Sequence, residues 1–129
     1  MHDKNIISTD KAPAAIGPYS QGVNVGKFIF VSGQIPVDPS TGNIVSPDVK
    51  EQAKRSLENL KAIIEAAGSN LNNVVKTTVF ATDINNFSAV NEVYAQYFKT
   101  DAPARSFVAV KDLPKGALVE IEAIAFKNN

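Results

Sequence analysis

Residues Leu118 to Phe126 read L-V-E-I-E-A-I-A-F, a strand-like run whose two faces differ in chemistry. Side chains alternate along a strand, so Val119, Ile121, Ala123 and Ala125 share one face. Leu118, Glu120, Glu122, Ile124 and Phe126 share the other. Two carboxylates therefore interrupt an apolar row, where a charge must be paired, neutralised or put to use. A second β-branched and apolar run, Arg105 to Val110, precedes this one, with Arg105 on the face of Phe107 and Ala109. Lys111 to Ala117, with Pro114 and Gly116, supplies turn chemistry between the two runs, so a final hairpin is expected.

The preceding chain supplies the partners. Ile6 and Ile7 suggest an edge strand. Gly22–Val25 and Lys27–Ser32 read as a hairpin about Gly26. Phe28 to Val31 is continuously apolar, which predicts a strand covered on both faces. Ser32 and Gly33 end it, by default as a strand end or bulge. Pro36 to Gly42 is dense in turn residues and should be an exposed loop. A helix follows, with Ser46 as expected N-cap, Pro47 at the first helical position and Gly68 just past the end. Val49, Ala53, Leu57, Leu60, Ile64 and Ala67 form its apolar stripe. Val74 to Ala81 is strand-like. A second helix is expected over Phe87–Phe98, burying Phe87, Val90, Tyr94, Tyr97 and Phe98, with Asn91 bordering that face. The order β-β-β-α-β-α-β-β predicts an α+β fold: one six-stranded, mostly antiparallel sheet with both helices on one face. Two helices cannot cover both sides of it, so association of subunits is expected on the other.

The composition removes several classes of function. At 129 residues the chain is expected to be a single domain, 1–129, with its own core. It has no cysteine, hence no disulfide or thiolate chemistry, and it fits a cytoplasmic home. Thirteen basic and thirteen acidic residues cancel, leaving no electrostatic footprint for nucleic acid or an anionic membrane. The N-terminus lacks the apolar core of a signal peptide, and no run approaches the roughly 20 apolar residues of a membrane span. The only histidine is His2, at a terminus. That argues against Ser-His, Cys-His and His-zinc sites, and leaves a carboxylate, tyrosine or lysine as any general base.

Several segments carry a family resemblance. P-A-R-S at 103–106, L-P-K at 113–115 and E-I-E-A-I-A at 120–125 are joined by A-P-A-A-I-G-P-Y-S-Q-G at 12–22, S-G-Q-I-P at 32–36 and V-N-E-V-Y at 90–94. Together, in this order and over nearly the whole chain, they closely resemble the RidA/YjgF family of reactive intermediate (enamine/imine) deaminases. The resemblance implies a chorismate-mutase-like sandwich assembled as a homotrimeric barrel, with sites at subunit interfaces. It implies that Arg105 anchors a substrate carboxylate and that Glu120 is the general base. It implies substrate-binding positions at Tyr19, Ser32, Gly33, Asn91 and Phe107.

Each residue also has a plainer reading. Arg105 would be a strand-end arginine in a surface ion pair, Tyr19 a half-buried packing residue and Asn91 a locally bonded helix side chain. One of Glu120 and Glu122 would pair with a lysine, and Glu122 is read as the structural one. For Glu120, partial burial would raise the pKa toward a useful range. Phe107 is a departure, because many family members carry cysteine there. The connection K-T-D-A-P before Arg105 also looks trimmed, so the site's rim is expected to differ.

The implied function is hydrolytic deamination of the 2-imino (2-enamino) acids released by serine and threonine dehydratases, giving 2-keto acids and ammonia. No cofactor or metal is implied, since a protonated imine is already electrophilic. The expected ligands are small 2-imino and 2-keto acids, with no nucleic acid or membrane partner. The alternative is a non-catalytic trimer that senses 2-keto acids or binds a partner protein through the same arginine.

Overall fold

The computed structural model describes residues 3–128, so His2 lies outside the described residues. Strands β1 (Lys4–Ile7), β2 (Gly22–Val25), β3 (Phe28–Gln34), β4 (Val74–Ala81), β5 (Ala104–Ala109) and β6 (Val119–Phe126) form one sheet in the order β1-β2-β3-β6-β4-β5. Helices α1 (Val49–Ala66) and α2 (Phe87–Tyr97) complete the α+β layer architecture. Every strand pairing is antiparallel except β4–β5.

The expected final hairpin does not form. β6 pairs with both β3 and β4, whereas β5 pairs only along the outer side of β4. The reason is the helix between β4 and β5. A strand followed by a crossover helix returns beside its partner in the same direction, as a parallel neighbour. The turn chemistry is real, with Pro114–Gly116 as a short 3-10 turn. It belongs to a connection that passes over β4 rather than to a tight hairpin.

The apolar stripe of α1 seals one face of the sheet. Ala53, Leu57, Leu60, Ile63 and Ile64 are fully buried, in one core with Ile29, Val31, Val79, Val119 and Ile121. Truncating one of the leucines or isoleucines to alanine costs about 2–5 kcal/mol at such sites. The N-cap of α1 is Asp48, not Ser46: its carboxylate accepts the Glu51 N–H at 3.0 Å. Ser46 braces the cap instead, accepting the Asp48 N–H at 3.0 Å and donating to the Glu51 carboxylate at 2.7 Å. Gly68 sits just past the end with φ of 86°, a conformation that most side chains resist.

Helix α2 buries Val90, Val93 and Tyr94. Phe87 departs from its expected burial and remains 40% exposed, because the first turn of α2 overhangs the sheet edge beside Phe107. Tyr97 ties α2 to α1 by donating to the Glu58 carboxylate at 2.6 Å. Burial, reinforced by that carboxylate, pushes the Tyr97 hydroxyl far above the usual tyrosine range.

The opposite face of the sheet has no cover within the protomer. Ile29 and Val31 are buried, but Phe28 and Phe30 are 52% and 43% exposed, contrary to the two-sided cover expected for this strand. Phe28 and Phe30 pair across to Phe126 and Ile124, extending the apolar strip toward Glu122 and Glu120. A contiguous apolar strip of this kind marks an association surface.

Candidate active site

Strand alternation decides which side chains can meet. Thr77 and Val79 of β4 are fully buried on the helix face, and Thr77 bonds Tyr94 of α2. Arg105 and Phe107 of β5 stand in register with Thr77 and Val79, so they too face the helices. Glu122 and Glu120 stand in register with Thr78 and Phe80, the alternate positions of β4, and so face the uncovered side. The site residues named from the sequence therefore fall into two groups.

The first group surrounds Arg105. Its Nη1 donates to the Asn91 side-chain carbonyl at 2.6 Å. Its guanidinium carbon lies 4.8 Å from the centre of the Tyr94 ring, 5.5 Å from Phe107 and 5.6 Å from Phe87. Cation–π attraction and the Asn91 bond hold a long, flexible side chain in one place. Tyr94 is itself pinned, its hydroxyl 2.7 Å from the buried Thr77 hydroxyl. Burial pushes the Tyr94 hydroxyl up, against the lowering effects of the Thr77 bond and the Arg105 charge, so it stays neutral. Asn91, expected at the substrate, contacts Arg105 directly. The Val110 N–H donates to Ala81 of β4. Alternation along this edge strand then turns the Phe107 N–H outward, beside the arginine.

The second group surrounds Glu120. The β3–β6 register slips between Val31 and Gln34, leaving one extra residue on β3. This bulge carries Ser32 and Gly33 toward β6. A Cβ on Gly33 would overlap a Glu120 carboxylate oxygen and lie 2.8 Å from its Cδ, so the carboxylate occupies the space that a side chain at 33 would take. Burial raises the Glu120 carboxyl above the ordinary range, and the neighbouring Glu122 charge raises it further. Ser32 braces the adjoining loop: its N–H donates to the Gln21 carbonyl at 2.9 Å and its hydroxyl to the Ser20 carbonyl at 2.6 Å. Tyr19 is 54% exposed, and its hydroxyl accepts the Ile16 N–H at 3.4 Å. Tyr19 and Gly33 share the wall of a cleft of about 440 Å³ with Gln34, Pro114 and Lys115.

Sequence reasoning missed the collar of Arg105. The apolar face of α2 marks Phe87 and Tyr94 only as core residues. Their spacing from Asn91 was the available signal, because residues three or four apart share a helix face. It also missed Gln21, whose buried amide bonds Thr9, Ala12 and Pro13 and so holds the loop leading to Tyr19. Among the described residues, no group of three His, Cys, Asp or Glu side chains could hold a metal ion. Nor is any helix there long and apolar enough to cross a membrane.

An immobilised guanidinium suits a small carboxylate ligand, and a carboxyl group with a raised pKa suits proton transfer. Together with the six-stranded sheet and its two helices, these features place the chain in a class of small α+β proteins with an ordered arginine on one sheet face and a half-buried carboxyl on the other. Residues 9–127 match the Endoribonuclease L-PSP family. A RutC family protein of Pyrococcus abyssi is 59% identical over 124 residues, covering 96% of this chain and 98% of its relative. The human 2-iminobutanoate/2-iminopropanoate deaminase is 55% identical over 124 residues, covering 96% and 90%. The crystal structure of E. coli TdcF with bound serine superposes with a TM-score of 0.92 at 53% identity, covering 96% of this chain and 99% of that one. The chain belongs to the Endoribonuclease L-PSP family, within its RidA/YjgF members.

Proposed function

We propose that this protein is a cofactor-independent imine deaminase whose site is completed by a second copy of the chain. The substrates are 2-imino acids and their 2-enamino tautomers, of the kind that serine and threonine dehydratases release. Water adds to the protonated C=N carbon, and the products are a 2-keto acid and ammonium. The relatives named 2-iminobutanoate/2-iminopropanoate deaminase support this reaction class. The observation that carries the assignment to residues is the Glu120 carboxyl, raised in pKa and lying where a Cβ on Gly33 would stand.

Arg105 binds the substrate carboxylate, with a second hydrogen bond from the Phe107 N–H. Glu120 takes a proton from the attacking water and passes it to the nitrogen of the carbinolamine; as the C–N bond breaks and the C=O bond forms, it takes the hydroxyl proton and passes it to the departing ammonia, giving ammonium. Such general-base help contributes about 10²–10⁴-fold, and positioning supplies the remainder. Tyr19 and Gly33 line the approach to Glu120, and Asn91 fixes Arg105.

Arg105 and Glu120 of one chain face opposite sides of its sheet, so the Arg105 of one copy must serve the Glu120 of another. The uncovered strip containing Phe28 and Phe30 supplies the contact. A closed homotrimer with one site at each interface satisfies both requirements.

The test is a coupled assay. A threonine dehydratase generates the imine in the presence of semicarbazide, and keto-acid release is followed with the wild type and with Arg105→Ala. Acceleration by the wild type alone supports the assignment. Equal acceleration by Arg105→Ala removes the arginine from it.

A further inference from the structure

We infer that Phe87 and Phe107 determine which substrate side chain is accepted, and that they select 2-imino acids with apolar side chains. The inference rests on the deaminase reading and concerns the same site.

The two rings meet edge to face, with centres 4.8 Å apart and planes at 66°. This is a favourable aromatic geometry that fixes them as a unit. Both lie within 5.6 Å of the Arg105 guanidinium carbon. Neither is sealed in the core: Phe87 is 40% exposed and Phe107 is half-buried. The pair thus presents apolar surface directly beside the carboxylate anchor.

A 2-imino acid carries its side chain one bond from the carbon that bears the carboxylate. With the carboxylate on Arg105, that side chain is confined to the neighbourhood of the anchor. An aliphatic group there removes ring surface from water. The polar side chain recorded on the guanidinium is that of Asn91, and its carbonyl is already engaged by Arg105. On the faces of the rings themselves, a polar substrate side chain would lose water without gaining a partner. Differences of a single methylene in apolar pockets change kcat/KM by about 10–200-fold, so two rings suffice for a measurable preference.

The test compares imines derived from leucine and from glutamine, similar in length and both uncharged. An amino-acid oxidase generates them, and semicarbazide trapping reports their hydrolysis. The expected wild-type ratio of kcat/KM favours the leucine imine by at least about tenfold, and in Phe87→Ala it falls to within about threefold. Phe107→Leu, which keeps apolar bulk but loses the ring, should lower the ratio partway. A wild type without preference, or a ratio unchanged in both variants, overturns the inference. If no imine is hydrolysed at all, the deaminase reading fails, and calorimetry with the keto acids of leucine and glutamine then decides the role of the rings. Tighter binding of the leucine keto acid by the wild type but not by Phe87→Ala supports it. Equal binding, or none, overturns it.

Discussion

Arg105 and Glu120 lie on opposite faces of one sheet, on strands separated by β4. Arg105 is in register with the buried Thr77 on the helix side, and Glu120 with Phe80 on the uncovered side. Each has its own distinct surroundings. The arginine is fixed by Asn91 and three aromatic rings, and the glutamate by burial against Gly33. In the proposed reaction, the two groups meet only across an association of chains.

The contact of Gly33 with Glu120 predicts a severe effect from a single methyl group. Gly33→Ala drives a Cβ into the Glu120 carboxylate, which must move away. A displacement of about 1 Å at a reacting group costs roughly 100-fold in turnover, whereas stability should change little, because the atoms that give way are the end of a flexible side chain. Steady-state kinetics and thermal melts measure both. A Gly33→Ala protein with wild-type turnover would contradict the close approach.

The raised pKa of Glu120 sets a pH dependence. The base is active when ionised, so kcat/KM falls as pH drops through a value above the ordinary carboxylate range. Glu122→Gln removes one of the two causes of the shift and moves that acid limb to lower pH. Stability runs the other way. The folded chain holds the Glu120 proton more tightly than the unfolded chain, so its contribution is full below the unfolded pKa and is lost as pH rises through the folded one. Glu120→Gln should therefore raise Tm at neutral pH, by an amount that shrinks as pH falls. An acid limb unmoved by Glu122→Gln would contradict the charge coupling.

Asn91 acts through Arg105, so its loss should weaken binding more than turnover. A hydrogen bond to a charged group contributes about 1.5–3 kcal/mol, so Asn91→Ala should raise KM roughly tenfold or more. The accompanying change in kcat should be small. A fall in kcat at constant KM would instead make Asn91 a participant in the chemistry.

Much of this arrangement was legible in the sequence. The α1 stripe, the β2–β3 hairpin and the glutamates of β6 are local patterns, and local patterns survive folding. The β6 neighbours were misread because pairing is not local. Nothing in residues 105–126 states that β4 will separate the two runs, and only the crossover through α2 forces it. The same limit hid the division of the site. Alternation assigns Arg105 and Glu120 to faces of their own strands, but which faces coincide depends on the register of β4 with both. The collar of Arg105 was hidden because apolar periodicity does not separate ring surface facing a core from ring surface facing a charge.

The uncovered strip predicts the consequence of a charge placed in it. Phe30→Asp sets a carboxylate beside Ile124 on a face already carrying Glu120 and Glu122. Repulsion and desolvation should prevent association while leaving the core on the opposite face intact. Sedimentation velocity should report a folded monomer, and the coupled assay should report no activity. A Phe30→Asp protein that remains assembled would move the interface elsewhere.

Subunit complementation tests the shared site most directly. Arg105→Ala and Glu120→Gln chains are each expected to be inactive in their own homo-oligomers. In mixed oligomers, one interface in about four joins the intact Arg105 of one chain to the intact Glu120 of another, given random cyclic assembly. Activity should therefore return to roughly a quarter of the wild-type value. Mixed oligomers that assemble but stay inactive would mean that Arg105 and Glu120 do not meet across subunits.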